Sequence, residues 1–257
     1  MSRAARWGAG AMLATVVALT GYTILSHDDR PTIPQPAAAP PSPSQSSTTA
    51  VPVPVSTYTL PATWTEPDRW LAVPRGTSTL NGHKVAFPHS TDGAIGMLVA
   101  CSGFDIEGST TLVDEQLAFY RAYTAAADQT SDREQRIRQG AARTDAHVRA
   151  AMGLPESGPL PAGAWVRTSM VGFKLIQAGP DAVTAHLLLR NAWKPSGSRP
   201  ESISYAVGTI GVVWREGDWR LDPSGGASPA PETVPEIAAP GDTAFNTQGW
   251  TAIRQAS

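Results

Sequence analysis

A run of four predicted strands between Ala164 and Leu221 most constrains what this chain can fold into. The run ends in the sequence VVWREGDWRL (residues 212–221), where apolar residues alternate on both sides of a two-residue Glu216-Gly217 turn. Alternation around a short turn that contains glycine is typical of a β-hairpin. The chain is therefore expected to be organised around an antiparallel sheet.

The register of this hairpin follows from its turn. If Glu216 and Gly217 are the two loop residues, Trp214 lies opposite Trp219, and the two rings share a face of the sheet. Gly217 is expected to take a positive φ, which glycine adopts at little cost. We therefore predict that Trp214, Gly217 and Trp219 are structural residues and do not contact a ligand.

The preceding strands show the same alternation, with one irregularity. Residues 165–176 are predicted as the first strand, and the apolar residues of the second share one parity from Val183 to Leu189. In the third strand the apolar parity changes between Val207 and Ile210. A one-residue slip moves side chains to the other face, so the pattern predicts a β-bulge near Gly208-Thr209.

Three helices are predicted before the strands. Ser90 or Thr91 is expected to cap the first helix and Thr111 the second. The sequence Ser131-Asp132-Arg133-Glu134 has the spacing of a capping box and predicts the start of the third, which ends at Gly153. The predicted fold class is therefore α+β, with about three helices packed on a curved antiparallel sheet of about four strands.

The N-terminal segment predicts a membrane anchor. Residues 7–25 carry no charge and are long enough to span a bilayer, while Arg3 and Arg6 precede them. This pattern predicts a single transmembrane helix in the cell membrane, with residues 1–6 in the cytoplasm, the lipid bilayer as a partner and the C-terminal domain extracellular. A cleaved signal peptide is the alternative interpretation.

Composition divides the rest of the chain. Residues 26–56 are predicted as a stalk, because residues 31–56 contain eight prolines and neither charged nor aromatic residues. Such a tract can also be a ligand for proline-binding modules. Residues 57–222 are predicted to form the folded domain, in which Trp64 and Trp70 either pack on the outside of the sheet or form a binding cage. Residues 223–257 are rich in glycine and proline and are predicted as a disordered tail.

No catalytic constellation is visible in the sequence. The net charge is −2 and no Lys/Arg cluster occurs, so nucleic acid is not an expected partner. The single cysteine, Cys101, excludes an intrachain disulfide. The five histidines have no metal-binding spacing, and nucleotide-binding and hydrolase motifs are missing from the sequence. We therefore predict no catalytic residue, no metal and no cofactor, and we expect that the protein is not an enzyme.

Two short motifs carry a family resemblance. The sequences FPHSTDGAI (residues 87–95) and WREGDWRL (residues 214–221) are similar to motifs in membrane proteins of actinobacterial integrative and conjugative elements. The pattern of helices and strands resembles the cone-shaped, cystatin-like fold shared by nuclear transport factor two and the extracytoplasmic domain of the inner-membrane scaffold protein of type IV secretion systems. The resemblance implies a non-catalytic assembly component that binds other membrane or secretion-complex proteins and can form oligomers.

Two alternative functions remain open from the sequence. Enzymes of the cone-shaped fold, such as ketosteroid isomerases, hold a small molecule inside the cone, and Tyr120, Tyr123, Tyr205 and His186 are the residues expected to line such a pocket here. A third hypothesis is an exported sensor or wall-associated protein. A deep cavity that contains an acid or a histidine would favour the enzyme, whereas a filled interior would favour the scaffold.

Overall fold

The computed structural model describes residues 63–223 and 234–255. The helices are α1 (Thr91–Ser102), α2 (Leu112–Tyr123), α3 (Ser131–Met152) and α4 (Thr243–Thr247), with a 3-10 turn at Ala126–Asp128. The strands are β1 (Trp70–Val73), β2 (Ser78–Leu80), β3 (His83–Val85), β4 (Phe104–Glu107), β5 (Trp165–Ala178), β6 (Ala182–Lys194), β7 (Ser202–Arg215), β8 (Asp218–Leu221) and β9 (Thr251–Gln255).

The main sheet has seven strands, so the predicted sheet of about four antiparallel strands is wrong. Its order is β1-β9-β5-β6-β7-β8, and β4 pairs with the N-terminal half of β5. Strand β1 runs parallel to β9, which makes the sheet mixed. The strands that the sequence pattern missed are only four or five residues long, and so few positions show little alternation. The α+β mixture itself is present, with four helices in the described residues.

Side-chain caps define where the three long helices begin. The hydroxyl of Ser90 accepts from the backbone N–H of Gly93 at the start of α1, and Thr111 caps α2 in the same way. Helix α3 is capped by Thr130, one residue before the predicted Ser131. It ends at Gly153, whose φ of 70° is the left-handed conformation that glycine favours at this position.

The long helices cover one face of the sheet. Side chains from α1 and α2 pack on odd-numbered residues of β6 and even-numbered residues of β7, such as Leu187 and Val212. Burial of this shared apolar surface is the main stabilising contribution to the fold. Strands β2 and β3 form a separate hairpin that lies beside α1 and α2.

The second face of the sheet is covered by the C-terminal segment, so the prediction of a disordered tail over residues 223–257 is wrong for residues 234–255. Phe245 of α4 and Trp250 are fully buried against Leu188 of β6. Gly172 of β5 leaves room for the ring of Phe245. The segment then enters the sheet as β9, between β1 and β5. Two large aromatic residues suffice here because they join a surface that the sheet has already formed.

Burial on both faces also explains why the predicted bulge near Gly208-Thr209 is wrong. The register between β6 and β7 continues without interruption from Ser202 to Val213. The apolar parity of β7 changes because Tyr205 and Val207 pack under the C-terminal segment, whereas Ile210 faces the helices. Register shifts occur in β5 instead, between residues 170 and 172 and between residues 175 and 177.

The structure contradicts the predicted placement in a membrane. Among residues 63–223 and 234–255, no helix has both the length and the apolar character needed to cross a membrane. This finding contradicts the predicted single-pass placement in the cell membrane with an extracellular C-terminal domain, and we do not retain it. The predicted N-terminus (1–6), transmembrane helix (7–25) and stalk (26–56) lie outside the described residues.

Candidate functional site

The closing hairpin has the predicted geometry around Trp214, Gly217 and Trp219. Trp214 lies opposite Trp219, and the two rings meet edge to face with centroids 5.5 Å apart. Gly217 has a φ of 75° and Glu216 one of 56°, as in a type I′ turn. Trp219 is fully buried, and its indole nitrogen donates to the carbonyl oxygen of Pro88 at 2.9 Å. Trp214 is only partly buried.

A buried carboxylate that sequence reasoning missed attaches this hairpin to the start of α1. Asp218 accepts hydrogen bonds from the backbone nitrogens of Ala86 (2.7 Å), Phe87 (3.0 Å) and Trp219 (2.9 Å). Ala86 has a φ of 62°, a strained conformation for a residue with a side chain. The carboxylate therefore stabilises a backbone turn that would otherwise be unfavourable.

We expect Asp218→Asn to lower the free energy of unfolding by about 1.5–3 kcal/mol, because an amide accepts fewer of these charge-assisted hydrogen bonds and turns an N–H toward a backbone donor. Urea denaturation of the full chain measures the change. Asp105→Asn is the matched control, since Asp105 pairs with Arg167 on the surface at 2.9 Å, and such pairs contribute little. Equal effects of the two changes would contradict this role of Asp218.

His89 stacks on the hairpin from the outside. Its ring lies parallel to Trp214 with centroids 4.0 Å apart, and its Nε2 is 2.8 Å from an Asp181 carboxylate oxygen. Asp181 lies between β5 and β6, and its carbonyl oxygen accepts from the backbone nitrogen of Trp214. The His89–Asp181 pair is solvent-exposed and joins three chain segments. This contact gives Trp214 a structural role at the surface.

The four predicted pocket residues do not meet in one cavity. Tyr120 is buried between α2 and α3, where its hydroxyl accepts from the backbone nitrogen of Thr130 at 2.7 Å. The hydroxyl of Tyr123 donates to the carbonyl oxygen of Lys84 at 2.9 Å, and burial raises the pKa of Tyr123. Tyr205 and His186 lie across the sheet from both, and His186 Nδ1 is 2.8 Å from the hydroxyl of Thr209. Packing thus places these groups in three separate environments.

The helical face contains a small apolar cavity between β4, β5, α2 and α3. Its volume is about 10 Å³, which is room for about one water molecule. The charged residues in its wall neutralise each other, because Arg149 Nε is 2.7 Å from an Asp145 carboxylate oxygen. Arg149 also donates to the carbonyl oxygen of Gly158. This cavity is too small for an organic substrate.

A half-buried titratable pair lies where the β2-β3 hairpin meets α2. His83 packs on Phe119 with ring centroids 4.4 Å apart, and its Nε2 is 3.9 Å from an oxygen of Glu115. Burial lowers the pKa of His83. Burial, together with the charge of Asp105, raises the pKa of Glu115. Both shifts favour the uncharged forms of the pair.

This pair predicts a loss of stability in mild acid. Unfolded His83, with a pKa near 6.5, binds a proton more readily than folded His83 does. The unfolded state therefore holds more protons from about pH 6.5 down to the lowered pKa, and stability falls as the pH falls through that window. The raised pKa of Glu115 acts in the opposite sense at lower pH, which limits the loss. Urea denaturation at pH 7.5 and 5.5 should show a smaller difference for His83→Phe than for the unaltered chain, and equal differences would contradict the prediction.

The clearest surface feature is a pair of exposed tryptophans joined by one carboxylate. Trp64 and Trp70 are 55% and 39% exposed. Their indole nitrogens donate to the two oxygens of Glu66, at 2.8 Å and 3.2 Å. We call Trp64, Glu66 and Trp70 the tryptophan surface. Of the two predicted alternatives for these rings, packing on the outside of the sheet describes only part of their surroundings, since much of each ring faces solvent.

The C-terminal segment holds the tryptophan surface in place. The ring of Trp64 lies against Gly241, where a side chain would collide with it. The backbone nitrogen of Thr65 donates to the carbonyl oxygen of Gly241 at 2.8 Å, and the amide of Asn246 donates to the carbonyl oxygen of Glu66 at 2.9 Å. These contacts join residues about 180 positions apart, so no local sequence signal could have identified them. Their result is two apolar rings in a fixed, exposed position.

Comparisons with known proteins give one match to a domain family and no activity. Residues 116–240, slightly less than half of the chain, match a family described as a domain of unknown function (DUF8175). This range begins within α2 and ends just before α4. No curated protein and no solved structure matches the chain. Within residues 63–223 and 234–255, no group of three His, Cys, Asp or Glu side chains is arranged to hold a metal ion.

Proposed function

We propose that the protein is a non-catalytic assembly component that binds a protein partner through the tryptophan surface. The observation that carries this proposal is the fixed position of the exposed Trp64 and Trp70 rings. Tryptophan is enriched among the residues that contribute most to protein interfaces. A ring that is already immobilised loses little conformational entropy on binding, so preorganisation of this kind increases affinity.

The packing of the interior favours a scaffold role rather than a small-molecule pocket. The tyrosine hydroxyls that a pocket would use, those of Tyr120 and Tyr123, are engaged by backbone groups inside the framework. The cavity beside Arg149 has room for only about one water molecule. A substrate of the size that cone-shaped isomerases accept would need these side chains to separate, at the cost of their packing.

Conjugation or type IV secretion is the apparatus that we propose for this component. The support is the similarity of residues 87–95 and 214–221 to motifs of conjugative-element proteins. These two motifs contact each other through His89 and Trp214, and through Pro88 and Trp219. The two motifs therefore form one structural unit. Similarity to both parts of one unit is stronger support than similarity to two short sequences that do not touch.

A mating assay tests the proposal. Deletion of the gene should abolish transfer of the element that carries it, and the unaltered gene should restore transfer. The double variant Trp64→Ala, Trp70→Ala should restore transfer poorly, because loss of two tryptophan contacts weakens binding by roughly tenfold or more.

The matched control is Leu80→Ala, Leu175→Ala, which removes two other exposed apolar side chains. This variant should restore transfer fully. Both variants should keep a cooperative melting transition, since none of the four side chains belongs to the buried core. Normal transfer after gene deletion would overturn the proposed apparatus, and equal transfer by the two double variants would overturn the proposed surface.

A further inference from the structure

The tryptophan surface presents two indole rings that share one carboxylate. Both carboxylate oxygens of Glu66 already accept from indole nitrogens. These two hydrogen bonds hold both rings beside the same side chain. The electron-rich faces of the rings attract the slightly positive C–H groups of an uncharged, flat aliphatic ring. This chemistry favours a ligand rich in proline.

The same chain carries a segment of that composition. Residues 31–56 contain eight prolines and neither charged nor aromatic residues. The spacings Pro31 to Pro34 and Pro40 to Pro43 both follow the PxxP pattern. Proline-rich segments prefer the extended polyproline II conformation, and they dock on surfaces lined by aromatic side chains with little loss of entropy.

The position of this segment favours a contact within one chain. Its last two prolines, Pro52 and Pro54, precede Trp64 by only about ten residues. Ten residues span at most about 33 Å when extended, which is enough for the chain to turn back toward Trp64. A short tether of this kind gives an effective concentration of about millimolar, so even a weak contact is populated.

We infer that the proline tract of the same chain (residues 31–56) docks on the tryptophan surface and competes there with the partner protein. The inference rests on the proposed function, because it assigns a regulatory ligand to the same surface. A partner must displace the tract, and the tract therefore sets a threshold of affinity or concentration for assembly.

Fluorine NMR of the full chain labelled with 5-fluorotryptophan tests this contact. Resonances of Trp64 and Trp70 are assigned with Trp64→Phe and Trp70→Phe. Replacement of all eight prolines in residues 31–56 by serine should change the positions of both resonances. It should also increase the difference in position that each resonance shows between H₂O and D₂O, because the rings become more exposed to solvent. The buried Trp219 and Trp250 should keep their resonances, which shows that the fold is intact.

Two further arms complete the test. Alanine in place of the tract's serines, with every proline kept, should leave the Trp64 and Trp70 resonances unchanged; the positions are Ser42, Ser44, Ser46, Ser47 and Ser56. A synthetic peptide of residues 31–56, added to the variant without prolines, should return both resonances toward their original positions in a saturable way. The shifts in the unaltered chain should not depend on protein concentration.

Unchanged Trp64 and Trp70 resonances after removal of the prolines would overturn the inference. A contact that appears only at high protein concentration would overturn its placement within one chain. If the fluorine experiment fails while Trp64→Ala, Trp70→Ala still lowers transfer, the inference falls and the proposed function stands. If transfer is unaffected while the fluorine shifts occur, the proposed function falls, and with it the competition with a partner, whereas the contact between the tract and the tryptophan surface stands.

Discussion

A chain that ends at Asp222 should lose its cooperative unfolding transition. This truncation removes α4 and β9, together with the fully buried Phe245 and Trp250. It exposes the second face of the sheet and separates β1 from β5, since β9 lies between them. Removal of two buried aromatic side chains alone costs about 3–5 kcal/mol each, which is comparable to the whole stability of a domain.

Circular dichroism and calorimetry measure this outcome, and a cut chain provides the control. A protease site inserted within residues 224–233 and then cleaved leaves the C-terminal segment present but no longer covalently attached. The cleaved protein should still melt cooperatively, and a peptide of residues 234–255 should restore a transition to the truncated chain. A truncated chain that melts like the full protein would show that the C-terminal segment is dispensable.

Trp219→Ala should lower the free energy of unfolding by about 3–5 kcal/mol, the range for a fully buried aromatic side chain. The change leaves a cavity beneath the hairpin and removes the donor to the Pro88 carbonyl oxygen. It also removes the edge-to-face contact with Trp214. Urea denaturation of the full chain, followed by tryptophan fluorescence and circular dichroism, measures the loss.

Trp214→Ala is the matched comparison, and its effect should be clearly smaller. Trp214 is partly exposed, and it contacts His89 on one side and Trp219 on the other. Both substitutions replace a tryptophan of the same hairpin by alanine. The two variants therefore differ in how deeply the lost ring was buried and not in residue type. Equal losses would show that the stacked His89 contributes as much as full burial does.

Most of what the sequence predicted correctly depends on neighbours in the chain. The Glu216-Gly217 turn and the register of Trp214 with Trp219 follow from alternation over ten residues. The starts of α1 and α2 follow from a hydroxyl that bonds an N–H three residues on. In each case the partners are close in sequence, so the pattern contains the whole interaction.

The candidate surface illustrates what the sequence could not provide. Trp64 and Trp70 are visible in the sequence, but their fixed exposure depends on Gly241 and Asn246. Likewise, the role of Asp218 depends on the backbone of Ala86 and Phe87, which lie about 130 residues earlier. Local spacing in the sequence carries no information about contacts between residues so far apart in the chain.

The sequence alone thus determined the α+β mixture, the closing hairpin and the approximate bounds of three helices, because each is formed by local periodicity and local hydrogen bonds. Only the tertiary structure decided that the C-terminal segment covers the second face of the sheet and contributes β9. A short strand is stabilised by the sheet that it joins, and its own few residues carry little signal. The tertiary structure also decided which tryptophans are buried and which face solvent, since burial depends on the far segments that pack against each ring.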